Sequence, residues 1–169
     1  MSKENEMVDE DLYDEDGEDT QKDRYFTFRV GEEEYGIEIM HVLEVVGLQK
    51  ITEVPDMPDF VKGVINLRGQ VIPIMDVRTR FGMETVEYDD RTCVLVVNMM
   101  DQQIGLIVDK VSDVLDIPES QVQPPPKVSN RPGSRYISGL GKVDEEVKIL
   151  LDVQKLLYEE EMAQVASAV

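Results

Sequence analysis

From Tyr25 onward, apolar and polar residues alternate with the two-residue period of a strand that buries one face. Phe26, Phe28 and Val30 share a face and stop at Gly31, ahead of Glu32, Glu33 and Glu34. Tyr35, Ile37 and Ile39 alternate again, and the β-branched run 42–46 ends at Gly47. Pro55, Met57 and Pro58 mark a loop. Residues 64–72 read as a hairpin with Arg68 and Gly69 at its tip. Pro73 has no amide hydrogen, so its strand is expected at a sheet edge or at a bulge. Further strands are expected at 93–97, 104–108, 111–115 and 147–151, with Pro124, Pro125, Pro126 and Arg131-Pro132-Gly133 stiffening the loop between the last two. Short strands at regular spacing with turn residues between them point to small barrels. Helical spacing is confined to the C-terminus. There Asp152 is a candidate N-cap, and Val153, Leu156, Leu157, Met162 and Val165 line one side of a helix expected to cover one end of a barrel.

The pattern occurs twice. Residues 35–46 align with 104–115, eight of the twelve pairs being like for like. Residues 60–64 match 136–140, and 74–77 match 150–153. Gly63 to Asp76 and Gly139 to Asp152 are both thirteen residues apart. Gly36 to Gly63 is twenty-seven and Gly105 to Gly139 thirty-four, so the second copy carries seven extra residues, assigned to its Pro-rich loop. A repeat of this length present only twice is not a solenoid. It predicts two similar units, 25–90 and 91–169, behind an N-terminal segment 1–24. Units of this size bury only about 60% of their unfolded surface alone, so the two are expected to share an apolar interface.

The formal charge of −19 over 169 residues alters the picture of the partner. Residues 1–24 hold eleven acids and three bases, a net of −8, leaving −11 for 25–169. Acid excess on both parts excludes a nucleic-acid backbone or an anionic membrane surface as the natural target. Dense like charge with few apolar residues (Met7, Val8, Leu12, Tyr13) gives 1–24 the composition of a disordered tail, either solvated or acting as a docking arm. No run approaches the ~20 apolar residues of a membrane span, and the N-terminus has charges where a signal peptide needs an apolar core. A cytoplasmic protein is expected.

Catalytic chemistry finds little support. His41 is the sole histidine, and no nearby nucleophile marks it as a base; a surface or turn role is expected. Cys93 is the sole cysteine, expected to be buried as a small apolar side chain, and no metal site or cofactor is expected. The acidic stretch 14–19 lacks the ordered spacing of a calcium loop, and no phosphate-binding glycine loop occurs. Asp76 and Asp152 recur at one place in both copies, which suits capping of a following turn. Arg68 is harder to explain as structure alone. The second copy reads Gly141-Lys142-Val143-Asp144 there, with no arginine. A guanidinium at an exposed tip is either solvated or an interface anchor.

Residues 34–39, Phe60-Val61-Lys62-Gly63-Val64-Ile65-Asn66-Leu67-Arg68-Gly69 and 71–78 closely resemble the CheW family of bacterial chemotaxis coupling proteins, as do 108–115 and 136–141. The likeness spans about residues 25 to 160; the acidic tail departs from it. The resemblance implies a mainly β fold of two pseudo-symmetric five-stranded SH3-like β-barrels sharing an apolar core, with a C-terminal helix. It implies a non-catalytic scaffold linking chemoreceptor cytoplasmic tips to the regulatory domain of the histidine kinase CheA, in arrays at the inner face of the membrane. Other CheW-like modules are further implied partners, in rings. Val42, Gly63, Val64 and Arg68 match positions associated with the receptor side. The kinase side is placed on the exposed strand region 43–46, with Val45 as anchor and Glu44 at its rim. Nothing follows Val169, which resembles the stand-alone form rather than one fused to a receiver domain. Three rivals make different demands: a ligand-binding barrel needs polar groups converging in a cavity, an enzyme needs Asp76 and Asp152 to act together, and a nucleic-acid barrel conflicts with the charge.

Overall fold

The computed structural model describes residues 21–125, 135–157 and 159–167. Most of the acidic tail, the stretch 14–19 and most of the Pro-rich loop lie outside these residues. Eleven strands build two sheets among the described residues. They are β1 Arg24–Val30, β2 Glu33–Glu38, β3 Val42–Gly47, β4 Val61–Leu67, β5 Gln70–Asp76, β6 Cys93–Met99, β7 Gln102–Val108, β8 Lys110–Asp116, β9 Val122–Gln123, β10 Ile137–Val143 and β11 Glu146–Leu151. One sheet runs β3-β6-β7-β5-β4 and the other β8-β1-β2-β11-β10-β9. The architecture is mainly β, as expected. Neither sheet closes strand to strand, and the second has six strands because the short β9 is added. In the first sheet the same place is held by Thr52, bridged to Val64.

The sheets do not follow the expected cut at residue 90. Each copy lends its opening hairpin to the other: β1 and β2 pair with strands of the second copy, β6 and β7 with strands of the first. The exchange rests on two parallel pairings, β2 with β11 and β5 with β7, and both run through a repeated glycine. Gly36 lies opposite Leu150, and Gly105 opposite Ile74. A Cβ on Gly36 would sit 3.1 Å from Leu150 Cδ2; one on Gly105 would sit 2.3 Å from Ile74 Cδ1 and 2.7 Å from Val94 Cγ1. The glycines that mark the repeat let a neighbouring branched side chain lie across the exchanged strand.

Pro73 lies in β5, an internal strand, rather than at an edge. Its partner on β4 is Val64, whose N–H and C=O both bond to Thr52, away from β5. Residue 73 therefore points its nitrogen toward β7, where pairing begins only at Ile74. No ladder bond is lost.

The core has two parts. Phe28, Ile37, Met75, Leu95, Val97, Leu106, Leu151 and others fill the space between the sheets, and Ile65, Ile72, Ile74, Val94, Val96 and Ile107 fill the first sheet's far side. The C-terminal segment differs from one continuous helix. Asp152 caps a short 3-10 turn, Val153–Lys155, and α2 (Glu159–Ala166) follows. Leu156, Leu157, Met162 and Val165 are buried in the shared core. Cys93 is half-buried, not buried, with its thiol donating to the Arg91 carbonyl at 3.1 Å. The loop from β8 to β10 spans 117–136 against 48–60 in the first copy, which places the seven extra residues as expected.

Candidate functional site: the β3 edge and the Arg68 turn

β4 and β5 are joined by a two-residue turn in which Arg68 (φ 53°) and Gly69 (φ 83°) both take left-handed backbone. This is the type I′ geometry that suits the twist of the flanking strands. The Gly69 N–H donates to Asn66 Oδ1 at 2.9 Å. Asn, Asp or Gly accepts the first turn position readily, whereas a longer side chain there costs about 1–2 kcal/mol. The corresponding turn between β10 and β11 has Asp144 at that position, φ 55°. Arg68 thus occupies a place where a less strained residue would build the same turn.

β3 reaches this turn from the opposite edge of the sheet. A bulge at Leu43 pairs Val42 with Val97 but Glu44 with Val96, where regular pairing would bring Leu95. Val97 belongs to the shared core and Val96 to the first sheet's own cluster. Val42 therefore packs on the shared core while Glu44 turns to the other face, where Arg68 donates to its carboxylate. Leu43 and Val45 stay on the surface, 48% and 38% exposed. Glu44 and Arg68, expected on surfaces for different partners, are in contact.

Gly63 is buried, and its role is visible in the backbone. At φ +144° it forms the bulge in β4, and a Cβ there would lie 2.0 Å from the Thr52 carbonyl oxygen. Thr52 bonds both ways to Val64, at 2.8 and 2.9 Å. Gly63 therefore offers a partner no side chain; it lets the segment after β3 fold back onto β4 and hold Val64 in place. Val64 itself is half-buried on the same edge.

The carboxylates shared by the repeat are caps. Asp76 Oδ1 accepts from the Arg78 and Thr79 amides at the start of α1 (Val77–Arg80), while Tyr88 donates to its Oδ2 at 2.6 Å. Asp152 accepts from the Gln154 amide at 3.0 Å. Both serve local turns rather than a common centre. His41 ends a 3-10 turn, Ile39–His41, that leads into β3.

Away from this surface, ion pairs at Arg78 and Lys148 tie separate parts of the chain together. Arg78 grips Asp109 with two bonds, 2.9 and 2.6 Å, and Asp109 also accepts from the Gly31 amide at 2.8 Å. Burial alone would raise the Asp109 carboxyl; the Arg78 fork and the Gly31 amide outweigh it and hold the carboxyl below its ordinary range. Lys148, buried, donates to Glu34 and, at 2.7 Å, to Glu146. The Lys148 hydrogen bond lowers the Glu34 carboxyl against the opposing effect of burial.

Sequence reasoning passed over Met40 and Met100, both about half exposed. Met100 sits at the β6–β7 tip with φ 51°, its amide held by Gln154 Oε1 at 2.7 Å. A methionine beside an Asp between two strands was the available signal, since a polar turn would be ordinary there.

Comparison with known proteins adds an independent line. The family model described as CheW-like domain matches residues 24–161. A chemotaxis protein CheW of Klebsiella aerogenes is 43% identical over 139 residues, covering 82% of this chain and 84% of that protein. A chemotaxis protein CheW of Treponema pallidum is 35% identical over 145 residues, covering 83% and 85% respectively. The crystal structure of the scaffolding protein TtCheW from Thermoanaerobacter tengcongensis superposes with a TM-score of 0.76 at 34% identity, covering 82% of this chain and 94% of that one.

Proposed function

The chain belongs to the CheW family, and from that membership we propose that it is a non-catalytic coupling protein joining the cytoplasmic tip of a chemoreceptor to the regulatory domain of the histidine kinase CheA. The observation that carries this reading is Arg68, kept at a strained turn position and paired with Glu44 beside the exposed apolar residues Leu43 and Val45. Such a surface binds a protein; it assembles no nucleophile and base.

On this reading the receptor side uses Val42, Val64 and Arg68, with Gly63 shaping the backbone beneath them. A receptor tip is a helical hairpin, and a helix is well received by an apolar surface bordered by a directional cation. The kinase side uses Val45, with Glu44 at its rim. Because Arg68 touches Glu44, the two surfaces meet at one ion pair rather than lying apart. The two halves of the fold are similar, and the kinase regulatory domain is expected to share the architecture. A contact between unlike halves of two such modules is heterologous, so it propagates into rings or arrays. The protein then works in the cytoplasm at the inner face of the membrane, needs no cofactor and inserts into no bilayer.

The test is titration of the purified chain against a receptor cytoplasmic fragment and, separately, against the kinase regulatory domain. Saturable binding to both is expected, with a ternary complex when all three are mixed. Failure to bind either one would overturn the coupling role.

A further inference from the structure

We propose that Met40 and Met100 form a modification site for peroxides, where reversible sulfoxides form ahead of the other described methionines while the fold stays intact. Met40 is 54% exposed and Met100 49%. Met99, the chain neighbour of Met100, is fully buried in the shared core, and Met75 is buried there too. Met162 is also buried, while Met57 and Met83 pack half-buried against that core. Access therefore sets two thioethers apart from the rest.

Two independent observations bring the pair together. β3 runs antiparallel to β6 with Val42 opposite Val97, so the chain before Val42 lies beside the chain after Val97. Met40 is thereby placed next to Met99 and Met100. The repeat gives the same answer. Met40 stands where Asp109 stands in the other copy, and Met100 where Gly31 does. There the Gly31 amide donates to Asp109 Oδ2 at 2.8 Å. Gly31 and Met100 also share left-handed backbone, φ 66° and 51°. Arg78 closes the Asp109 junction with two bonds. Its counterpart Gln154 instead accepts from the Met100 amide at 2.7 Å and donates to the Asn98 carbonyl at 3.1 Å. The backbone is pinned at both junctions, but at this one the two side chains carry sulfur and stand in solvent.

The chemistry needs no catalytic group. A thioether lone pair attacks one oxygen of hydrogen peroxide, the O–O bond breaks, and the second oxygen leaves as water with both protons. Sulfur loses two electrons and the peroxide gains them. The chain's net charge of −19 repels anionic oxidants and leaves a neutral peroxide unhindered. Oxidation turns a flexible apolar side chain into a polar one. Because both side chains stand in solvent, no buried contact depends on their staying apolar. Met40 lies on the 3-10 turn that leads into β3, ahead of the exposed Leu43 and Val45. Two S=O groups would therefore sit at the rim of that surface, and a partner covering it would have to strip water from them. That consequence for kinase binding rests on the coupling role proposed above, and the modification itself does not.

Hydrogen peroxide added to the full chain carrying Cys93→Ala, followed by peptide mapping over time, tests the site. Met40 and Met100 should be oxidised at least about tenfold faster than Met75, Met99 and Met162. The map resolves Met1 and Met7 separately. Once both sulfoxides have formed, the melting temperature should stay within about 2 °C of the reduced chain. Methionine sulfoxide reductases should then restore the original mass. Oxidation of Met75 or Met99 as early as Met100, or a melting loss that keeps pace with the first sulfoxides, overturns the proposal. Titration with the kinase regulatory domain, after the peroxide is removed, reads what the site governs. Met40→Leu with Met100→Leu keeps the apolar character and supplies the control. Binding about fivefold weaker in the oxidised chain, and unchanged in the treated leucine variant, makes the site a switch on the kinase contact. Equal affinity before and after oxidation leaves the modification standing and removes Met40 from that contact. No binding by the reduced chain would overturn the coupling role instead.

Discussion

Gly63→Ala isolates the device on which the candidate surface is built. The substituted residue would have to hold φ +144°, a region left almost entirely to glycine, at a cost of about 1–3 kcal/mol. Its Cβ would lie 2.0 Å from the Thr52 carbonyl, which is backbone and cannot rotate aside. The Thr52–Val64 bridge must open, losing two hydrogen bonds worth about 0.5–1.5 kcal/mol each. Together these give about 4 kcal/mol, a large part of the ~5–15 kcal/mol that holds a domain folded. Gly139 supplies the internal control, because it occupies the same place in the second copy. A Cβ there meets Val122 Cγ1 at 2.7 Å and the Gln123 carbonyl at 3.0 Å, with no left-handed φ. A valine side chain can shift, so Gly139→Ala should cost only about 1–2 kcal/mol. Urea unfolding of both variants measures the difference, and thermal melting should show a drop of roughly 8–16 °C for Gly63→Ala. Equal costs at the two sites would sink the argument. If Gly63→Ala stayed within about 0.5 kcal/mol of the parent yet lost receptor binding, Gly63 would be an interface residue and the bulge account wrong.

The strands and the duplication were legible because each depends on local pattern: alternation at 26–30 and 35–39, and spacing between Gly63, Asp76, Gly139 and Asp152. The exchange of hairpins was not, since nothing in a two-residue period says which sheet a strand joins. Its only trace was the pair Gly36 and Gly105, and a glycine in a strand does not announce whether a Leu150 or an Ile74 will lie over it. The internal place of β5 was hidden for a related reason. Pro73 forbids a bond on one side only, and the side depends on a partner, Thr52, that carries no strand signal. The C-terminal segment kept its apolar spacing but not its continuity: Leu156 and Leu157 follow a 3-10 turn and precede α2, yet both are buried in the shared core. At the candidate surface, the sequence exposed Arg68 as an asymmetry between the copies. It hid the ion pair with Glu44, twenty-four residues away, because that contact depends on a bulge at Leu43 and on the curl that brings opposite edges together.

Acid should destabilise the fold through Asp109 and Glu34. Both carboxyls titrate lower in the folded chain than at their ordinary values of 3.8 and 4.5, so their stabilisation is complete above those values and is lost as pH falls from there through the folded ones. Asp109→Asn and Glu34→Gln should each flatten the fall in urea midpoint between about pH 5 and 3; an unchanged slope in both would refute the assignment. Val45→Asp should weaken binding to the kinase regulatory domain at least about tenfold, since burying an unpaired charge costs several kcal/mol, while receptor binding survives; unfolding of the variant would place Val45 in the core. Arg68 gives the sharpest test. Its side chain is 69% exposed, so the pair with Glu44 contributes no more than about 1 kcal/mol to stability. Arg68→Gly also releases the left-handed strain of about 1–2 kcal/mol, so this variant should be as stable as the parent or slightly more so, and Arg68→Ala close behind. Receptor affinity should nevertheless fall about thirtyfold in both, the loss of roughly 2 kcal/mol that marks an anchor. Arg68→Lys should recover little, because an ammonium lacks the paired donors of the fork. If Glu44 acts by positioning Arg68, then Glu44→Ala should weaken receptor binding in the parent and do nothing further once Arg68 is gone. Isothermal titration of the four proteins reads this coupling directly. Unchanged receptor affinity in a folded Arg68→Gly chain would leave Arg68 a solvated turn residue and remove the asymmetry between the two copies as a guide to the binding face.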